Sequence, residues 1–157
     1  MDVIIREFQP GDEAAFRRLN EEWIVRYFEL EPKDVASLSD PRRTILDPGG
    51  KILIACSRRE IVGCCALVVR GEREFEVAKM AVTESAQGAG VGRRLLEAVI
   101  AAARELGTRR LYLETNRKLD TAIRLYERLG FRHVPPERLV PSPYARSNVA
   151  MELFLNS

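Results

Sequence analysis

The sequence predicts an α+β fold built on a mixed sheet, and three observations carry that reading. Three β-rich runs follow one another over residues 51–82, separated only by the short turns Arg58-Arg59-Glu60 and Gly71-Glu72-Arg73, which is the pattern of a meander. A helical repeat then runs through Val91, Leu95, Leu96, Val99, Ile100, Ala103 and Leu106, with Gly107 where a left-handed C-terminal residue is expected. Strand and helix patterns alternate from there to the end of the chain.

In chain order, Val3-Ile4-Ile5 predicts a first strand. Asp12 precedes a long helix in which Ala15, Phe16, Leu19, Trp23 and Tyr27 recur at three- and four-residue intervals. A shorter helix follows Pro32, and Asp40-Pro41 and Asp47-Pro48-Gly49-Gly50 break the chain. Strands are expected at 51–57, 61–69 and 74–82, and the glycine-led helix begins after Gly90. A strand at 110–115, a helix at 120–129 ended by Gly130, and closing strands at 131–134 and 148–155 complete the order. This makes six to seven strands and about four helices.

At 157 residues the chain suits one domain, residues 1–157, with no repeat or linker to divide it. The composition, 46% hydrophobic and 31% charged, is globular, and no apolar run approaches the roughly 20 residues of a membrane span. Twenty-five basic and 23 acidic residues are spread along the chain, and the pairs Arg58-Arg59, Arg93-Arg94 and Arg109-Arg110 are too scattered for a nucleic-acid patch. The start of the chain has no signal-peptide pattern, so a cytoplasmic location is expected. Cys56, Cys64 and Cys65 match neither a redox pair nor a zinc site and read as buried reduced thiols; one histidine, His133, leaves no metal site expected.

The informative segment is a strand, Glu76 to Val82, feeding a loop with glycines at 88, 90 and 92 that opens a helix. Without side chains in the way, the unpaired amides and positive dipole end of that helix can approach an anion, and a phosphate or pyrophosphate is the natural ligand. The nucleotide P-loop pattern fails, because none of these glycines is followed by Lys-Ser/Thr. The dinucleotide fingerprint fails too: started at Gly90 it reaches Leu95, and started at Gly88 it reaches Arg93, where a small residue must sit.

The loop does match Q-x-x-G-x-G, as Gln87-Gly88-Ala89-Gly90-Val91-Gly92, and with it the chain resembles the GNAT superfamily of acyl-CoA-dependent N-acyltransferases. Lys79-Met80-Ala81-Val82 is similar to that family's fourth strand, and Asn116 followed by Tyr126 in Ala122-Ile123-Arg124-Leu125-Tyr126 is similar to its fifth strand and next helix. The resemblance covers residues 50–135 most strongly. It implies a mixed, mostly antiparallel central sheet with helices on both faces. It also implies acetyl-CoA as co-substrate, with the pyrophosphate on Gln87, Gly88, Ala89, Gly90, Val91, Gly92 and Arg93. The pantetheine would lie in a gap between the fourth and fifth strands, against Met80, Ala81 and Val82 and within reach of Asn116 and Tyr126.

Acyl transfer to an amine requires a proton to leave, since an alkylammonium of pKa near 10.4 is only about one part in a few thousand neutral at pH 7, which contributes roughly 4–5 kcal/mol to the barrier. Glu76 matches a glutamate base of some family members, and period-two alternation puts it on one face with Ala78, Met80 and Val82; an ordered water is the alternative. Tyr126 matches the family's general-acid tyrosine, and a backbone amide near Met80 would face the developing oxyanion. Asn116 would reach the pantetheine or the acceptor, or would hold a helix-capping turn. Direct attack is expected rather than an acyl-cysteine, as no histidine lies near Cys64 and Cys65 in the sequence.

The acceptor, a primary amine on a small molecule or a peptide, is expected to meet Trp23, Tyr27, Phe28, Glu29 and Glu31 from the first helix region, and Tyr144 and Arg146 from the loop before the last strand. Trp23 and Tyr27 fit a core stripe as well as a substrate wall. A homodimer through the closing strands is common in similar proteins. The rival reading is a non-catalytic acyl-CoA-binding sensor or interaction module.

Overall fold

The computed structural model describes residues 2–155. Seven strands form one sheet: β1 (Ile4–Glu7), β2 (Lys51–Ser57), β3 (Glu60–Gly71), β4 (Glu74–Val82), β5 (Arg110–Thr115), β6 (Arg132–His133) and β7 (Val149–Phe154). Their order is β1-β2-β3-β4-β5-β7-β6, and every adjacent pair is antiparallel except β4 and β5. Four α-helices accompany them: α1 (Glu13–Tyr27), α2 (Pro32–Ser39), α3 (Val91–Glu105) and α4 (Asp120–Arg128). The expected α+β fold with a mostly antiparallel sheet is the one observed. No described helix is long and apolar enough to cross a membrane.

Local chemistry accounts for most boundaries. The β2–β3 hairpin turns on Arg58 and Arg59, both at positive φ (50° and 70°), the backbone that matches the right-handed twist of the flanking strands. Helix α2 starts at Pro32, and Glu31 and Asp34 close a reciprocal capping box around its first turn. Between α2 and β2, where the Asp-Pro breakers lie, the chain makes a π-helical turn at Arg42–Leu46. Helix α3 ends as expected, with Gly107 at φ 73°.

The sheet separates two apolar layers. On one side α3 and α4 cover Leu53, Cys65, Leu67, Val77, Leu111 and Leu113. On the other, α1 and α2 cover Ile52, Ile54, Cys64, Ala66 and Ala81. The buried stripe of α1 is Phe16, Leu19, Asn20 and Ile24, so Trp23 and Tyr27 flank the core rather than form it. Tyr27 is exposed, and the two rings pack on each other (5.4 Å between centroids) and on Phe28.

Candidate active site

The sheet opens where β4 leaves β5. These strands pair at only three positions, Glu74 with Arg110, Phe75 with Leu111 and Glu76 with Tyr112. Beyond Glu76 the β5-facing edge of β4 has no strand partner among the described residues, although β4 continues to Val82 and β5 to Thr115. Unpaired strand edges present a row of unsatisfied N–H and C=O groups, so this gap is a ready template for an extended ligand.

A bulge shapes the same stretch. Ala66 pairs with Ala78 and Cys64 with Ala81, so Cys65 alone stands opposite both Lys79 and Met80, and Lys79 takes a positive φ of 56°. The bulge overturns the period-two expectation that Glu76, Ala78, Met80 and Val82 share a face. Glu76 and Ala78 lie with Val68, Ala66 and then Ala81 on the α1/α2 side, whereas Met80 and Val82 pack into the α3/α4 layer. Alternation holds only while a ladder is continuous, and one extra residue reverses it.

At the end of β4 the chain passes a short 3-10 turn, Glu84–Ala86, and enters the glycine loop. The Gln87 side-chain amide donates to the carbonyl of Val82 (3.3 Å), fixing loop to strand. Gly88 and Gly90 have φ of 83° and 79°, and Gly90 is the N-cap of α3 without a side chain to cap it. The first-turn amides of Val91, Gly92 and Arg93 therefore have no intrahelical partner, and a Cβ at 88, 90 or 92 would meet open space. An anion can reach this helix end unobstructed.

The α1/α2 face of the gap is polar. The Glu76 carboxylate lies 3.4 Å from the Arg70 guanidinium, which stacks over the Tyr112 ring at 3.8 Å. Burial raises the Glu76 carboxyl above its ordinary range, and the charge of Glu114 adds to this; Arg70 and Lys79 offset part of it. Glu114 accepts hydrogen bonds from the hydroxyls of Tyr112 (2.9 Å) and Ser142 (2.6 Å). Lys79 donates to the hydroxyl of Tyr144 (3.3 Å). The loop that brings Ser142 and Tyr144 is clamped to α2 by Arg146, which donates to both oxygens of the fully buried Asp34 (2.8 and 2.6 Å) and to Glu31 (3.3 Å).

Tyr126 lies on the opposite face. It is buried in the α3/α4 layer against Phe131, 6.0 Å between ring centroids, and burial together with the nearby Cys65 thiol pushes its pKa well up, so the phenol stays protonated. Cys64 and Cys65 are buried free thiols, and burial pushes Cys64 up to about 12, far from a thiolate nucleophile; Cys56 is half-buried. Asn116 is committed to the turn after β5, where its amide N–H donates to the carbonyl of Arg146 (2.7 Å) and its oxygen accepts from the amide of Lys118 (3.0 Å). Of its two expected roles the turn is the one the hydrogen bonds display.

Glu76, the 80–82 backbone and the 87–93 loop thus follow one another along the unpaired part of β4 and its continuation, with Tyr144 beside Lys79 on the α1/α2 side, while Tyr126 lies in the α3/α4 layer next to Phe131. Trp23, Tyr27 and Phe28 form an aromatic cluster, where the Lys118 ammonium lies 4.7 Å from the Phe28 ring, and Glu29 is exposed. Lys79, Tyr112, Glu114 and Ser142 were not singled out from the sequence. Alternation along β5 separates Tyr112 and Glu114 from the apolar Leu111 and Leu113, which is a legible sign; nothing local marks Lys79 or Ser142.

Comparison with known proteins converges on this architecture. A model of the acetyltransferase (GNAT) family matches residues 13–131. An IAA acetyltransferase of Azospirillum brasilense is 34% identical over 132 residues, 83% of this chain and 84% of that protein. An acetyltransferase of the GNAT family from Staphylococcus aureus superposes with a TM-score of 0.88 at 21% identity, covering 99% of this chain and 100% of that one. A Bacillus subtilis acetyltransferase in complex with CoA superposes with a TM-score of 0.74 at 19% identity, over 99% and 100% of the two chains. With the family model spanning three-quarters of its length, the chain belongs to the acetyltransferase (GNAT) family.

Proposed function

We propose that the protein transfers the acetyl group of acetyl-CoA to a primary amine by direct attack. The observation that carries this reading is the gap: β4 loses its β5 partner after Glu76, continues as a strand to Val82, and leads through a 3-10 turn into a glycine loop with three uncapped helix amides. A pyrophosphate at 87–93 and a pantetheine along 80–82 satisfy both sets of open backbone groups with one molecule. The Bacillus subtilis neighbour in complex with CoA and the IAA acetyltransferase support that choice of co-substrate.

The faces of the gap divide the proton work. The amine approaches from the α1/α2 side, where Glu76, or a water held by it, takes the ammonium proton; its raised pKa makes it a stronger base than an exposed glutamate. The amine nitrogen then bonds to the acetyl carbonyl carbon as the carbon–sulfur bond breaks, and the proton that this nitrogen sheds in becoming an amide passes through solvent to replace the one that Tyr126 gives up. A β4 amide at the Lys79–Met80 bulge faces the carbonyl oxygen, and the thiolate leaves with the electron pair and receives a proton from Tyr126 on the α3/α4 side. The cysteines take no part, and among the described residues no cluster of His, Cys, Asp and Glu is placed to hold a metal.

Release of free thiol from acetyl-CoA, followed across a panel of primary amines, tests this reading. Amine-dependent release supports it. Tight acetyl-CoA binding with no amine-dependent release favours a non-catalytic acyl-CoA sensor.

A further inference from the structure

Two charged side chains on the acceptor side form no direct ion pair among the described residues. Glu114 is held by two hydroxyls, those of Tyr112 and Ser142, and forms no ion pair among the described residues. Lys79 is held by one hydroxyl, that of Tyr144, whose ring its ammonium also faces at 5.3 Å, and it forms no ion pair among the described residues either. The neighbouring cations are occupied, Arg70 with Glu76 and Arg146 with Asp34 and Glu31. One short loop positions both unpaired groups, since Ser142 and Tyr144 are two residues apart and the Tyr144 amide donates to the Ser142 hydroxyl (3.1 Å).

The placement of Lys79 comes at a cost in the backbone. A non-glycine residue at φ 56° inside a strand is strained, and such strain persists where the surroundings over-determine it, typically at functional sites. Here the bulge swings the side chain out of the α3/α4 layer that receives Met80 and toward Tyr144 and the acceptor side. A half-buried ammonium and a carboxylate, held apart on one wall by neutral hydroxyl donors and acceptors, are complementary to a molecule carrying both charges.

Resting on the acetyltransferase reading above, we infer that the acceptor is an amino acid or a similar amino carboxylate. Lys79, steadied by Tyr144, binds its carboxylate, and the Glu76–Glu114 wall receives its ammonium. Lys79 is thereby a specificity-determining residue, whose effect belongs in KM for the carboxylated acceptor.

Matched acceptors test it: L-phenylalanine against phenethylamine, L-methionine against 3-(methylthio)propylamine, and L-arginine against agmatine, each followed by thiol release from acetyl-CoA. In the pair that is turned over fastest, the carboxylated member is expected to be preferred by about tenfold or more in kcat/KM, the size of one charge-assisted contact. Lys79→Asn, chosen because Asn tolerates a left-handed backbone, should bring that ratio to within about twofold of one, chiefly through KM, while Lys79→Arg keeps the preference. Tyr144→Phe, which leaves β4 untouched, should reduce the ratio in the same direction. Equal or better use of the decarboxylated amines by the unmodified protein overturns the inference, as does a preference that survives in both Lys79→Asn and Tyr144→Phe. Absence of thiol release with every pair, from protein that binds acetyl-CoA, also overturns it and leaves the coenzyme site standing; absence of acetyl-CoA binding overturns the reading beneath it.

Discussion

Glu76 and Tyr112 are the last residues at which β4 and β5 pair, and the proposed coenzyme site begins at that rung. Below it the two strands share a parallel ladder; above it they part, and a ligand can take the place of the missing strand. The rung also explains the state of Glu76, which is half-buried beside Tyr112 and Arg70 and close to Glu114.

If Glu76 or a water it holds is the base, activity depends on its ionised form. Because burial and Glu114 raise its pKa, kcat/KM should fall on acidification with a midpoint above the roughly 4.3 of an ordinary glutamate. Glu76→Gln should lower kcat by about 100-fold or more and remove that limb from the pH profile. A pH-rate comparison of the two proteins checks both.

Tyr126→Phe removes the proposed proton donor and preserves the ring against Phe131. The expected result is a fall in kcat of about 100-fold with acetyl-CoA affinity little changed, consistent with the usual size of a general-acid contribution. Steady-state kinetics with calorimetry separates the two quantities.

Gly90→Glu places a carboxylate and a strained backbone at the open helix end, and should weaken acetyl-CoA binding by about tenfold or more through charge repulsion near the dipole. Gly107→Glu is the control. It has the same left-handed backbone (φ 73°) and open surroundings but sits just past the far end of α3, about 25 Å away along the helix, so it should lose stability without losing affinity.

The Arg146–Asp34 clamp is expected to be structural. Burial pushes the Asp34 carboxyl up, but hydrogen bonds from Arg146 and the Glu31 amide, with the charges of Arg146 and Lys79, outweigh it and hold the group below the ordinary range. Its contribution to stability is therefore fully present above the unfolded value near 3.9 and is lost as pH falls through the lower folded value. Asp34→Ala leaves Arg146 without its main partner and should cost about 3 kcal/mol in urea unfolding at pH 7, with a smaller difference from the unmodified protein below about pH 3.

Much of this was legible in the residues. The glycine loop and α3 announce themselves, because Gly88, Gly90 and Gly107 mark backbone that other residues avoid and the apolar repeat of α3 is uninterrupted. The closing strand at 131–134 shrinks to Arg132–His133, since a run of that length carries little alternation of its own. The α1 stripe includes Asn20, a polar residue that reaches the buried Cys64 sulfur (3.4 Å) and donates to the Phe16 carbonyl, and no apolar count would select it. The bulge at Lys79 has no composition of its own, so the faces of Met80 and Glu76 followed from β3 register alone. Lys79 and Tyr144 are 65 residues apart, and the tertiary contacts of the Tyr144 loop, with Arg146 on α2 and Ser142 and the Arg146 carbonyl on the end of β5, bring the two together.

The most direct test of the central claim is calorimetry of acetyl-CoA, coenzyme A and NADH against the unmodified protein and Gly90→Glu. The gap and loop described here predict binding of both coenzyme A species, none of NADH, and a weaker interaction in the variant. Binding of NADH in preference to coenzyme A, or no binding of any of the three, would contradict the assignment of the β4–β5 gap and the 87–93 loop to the acyl donor.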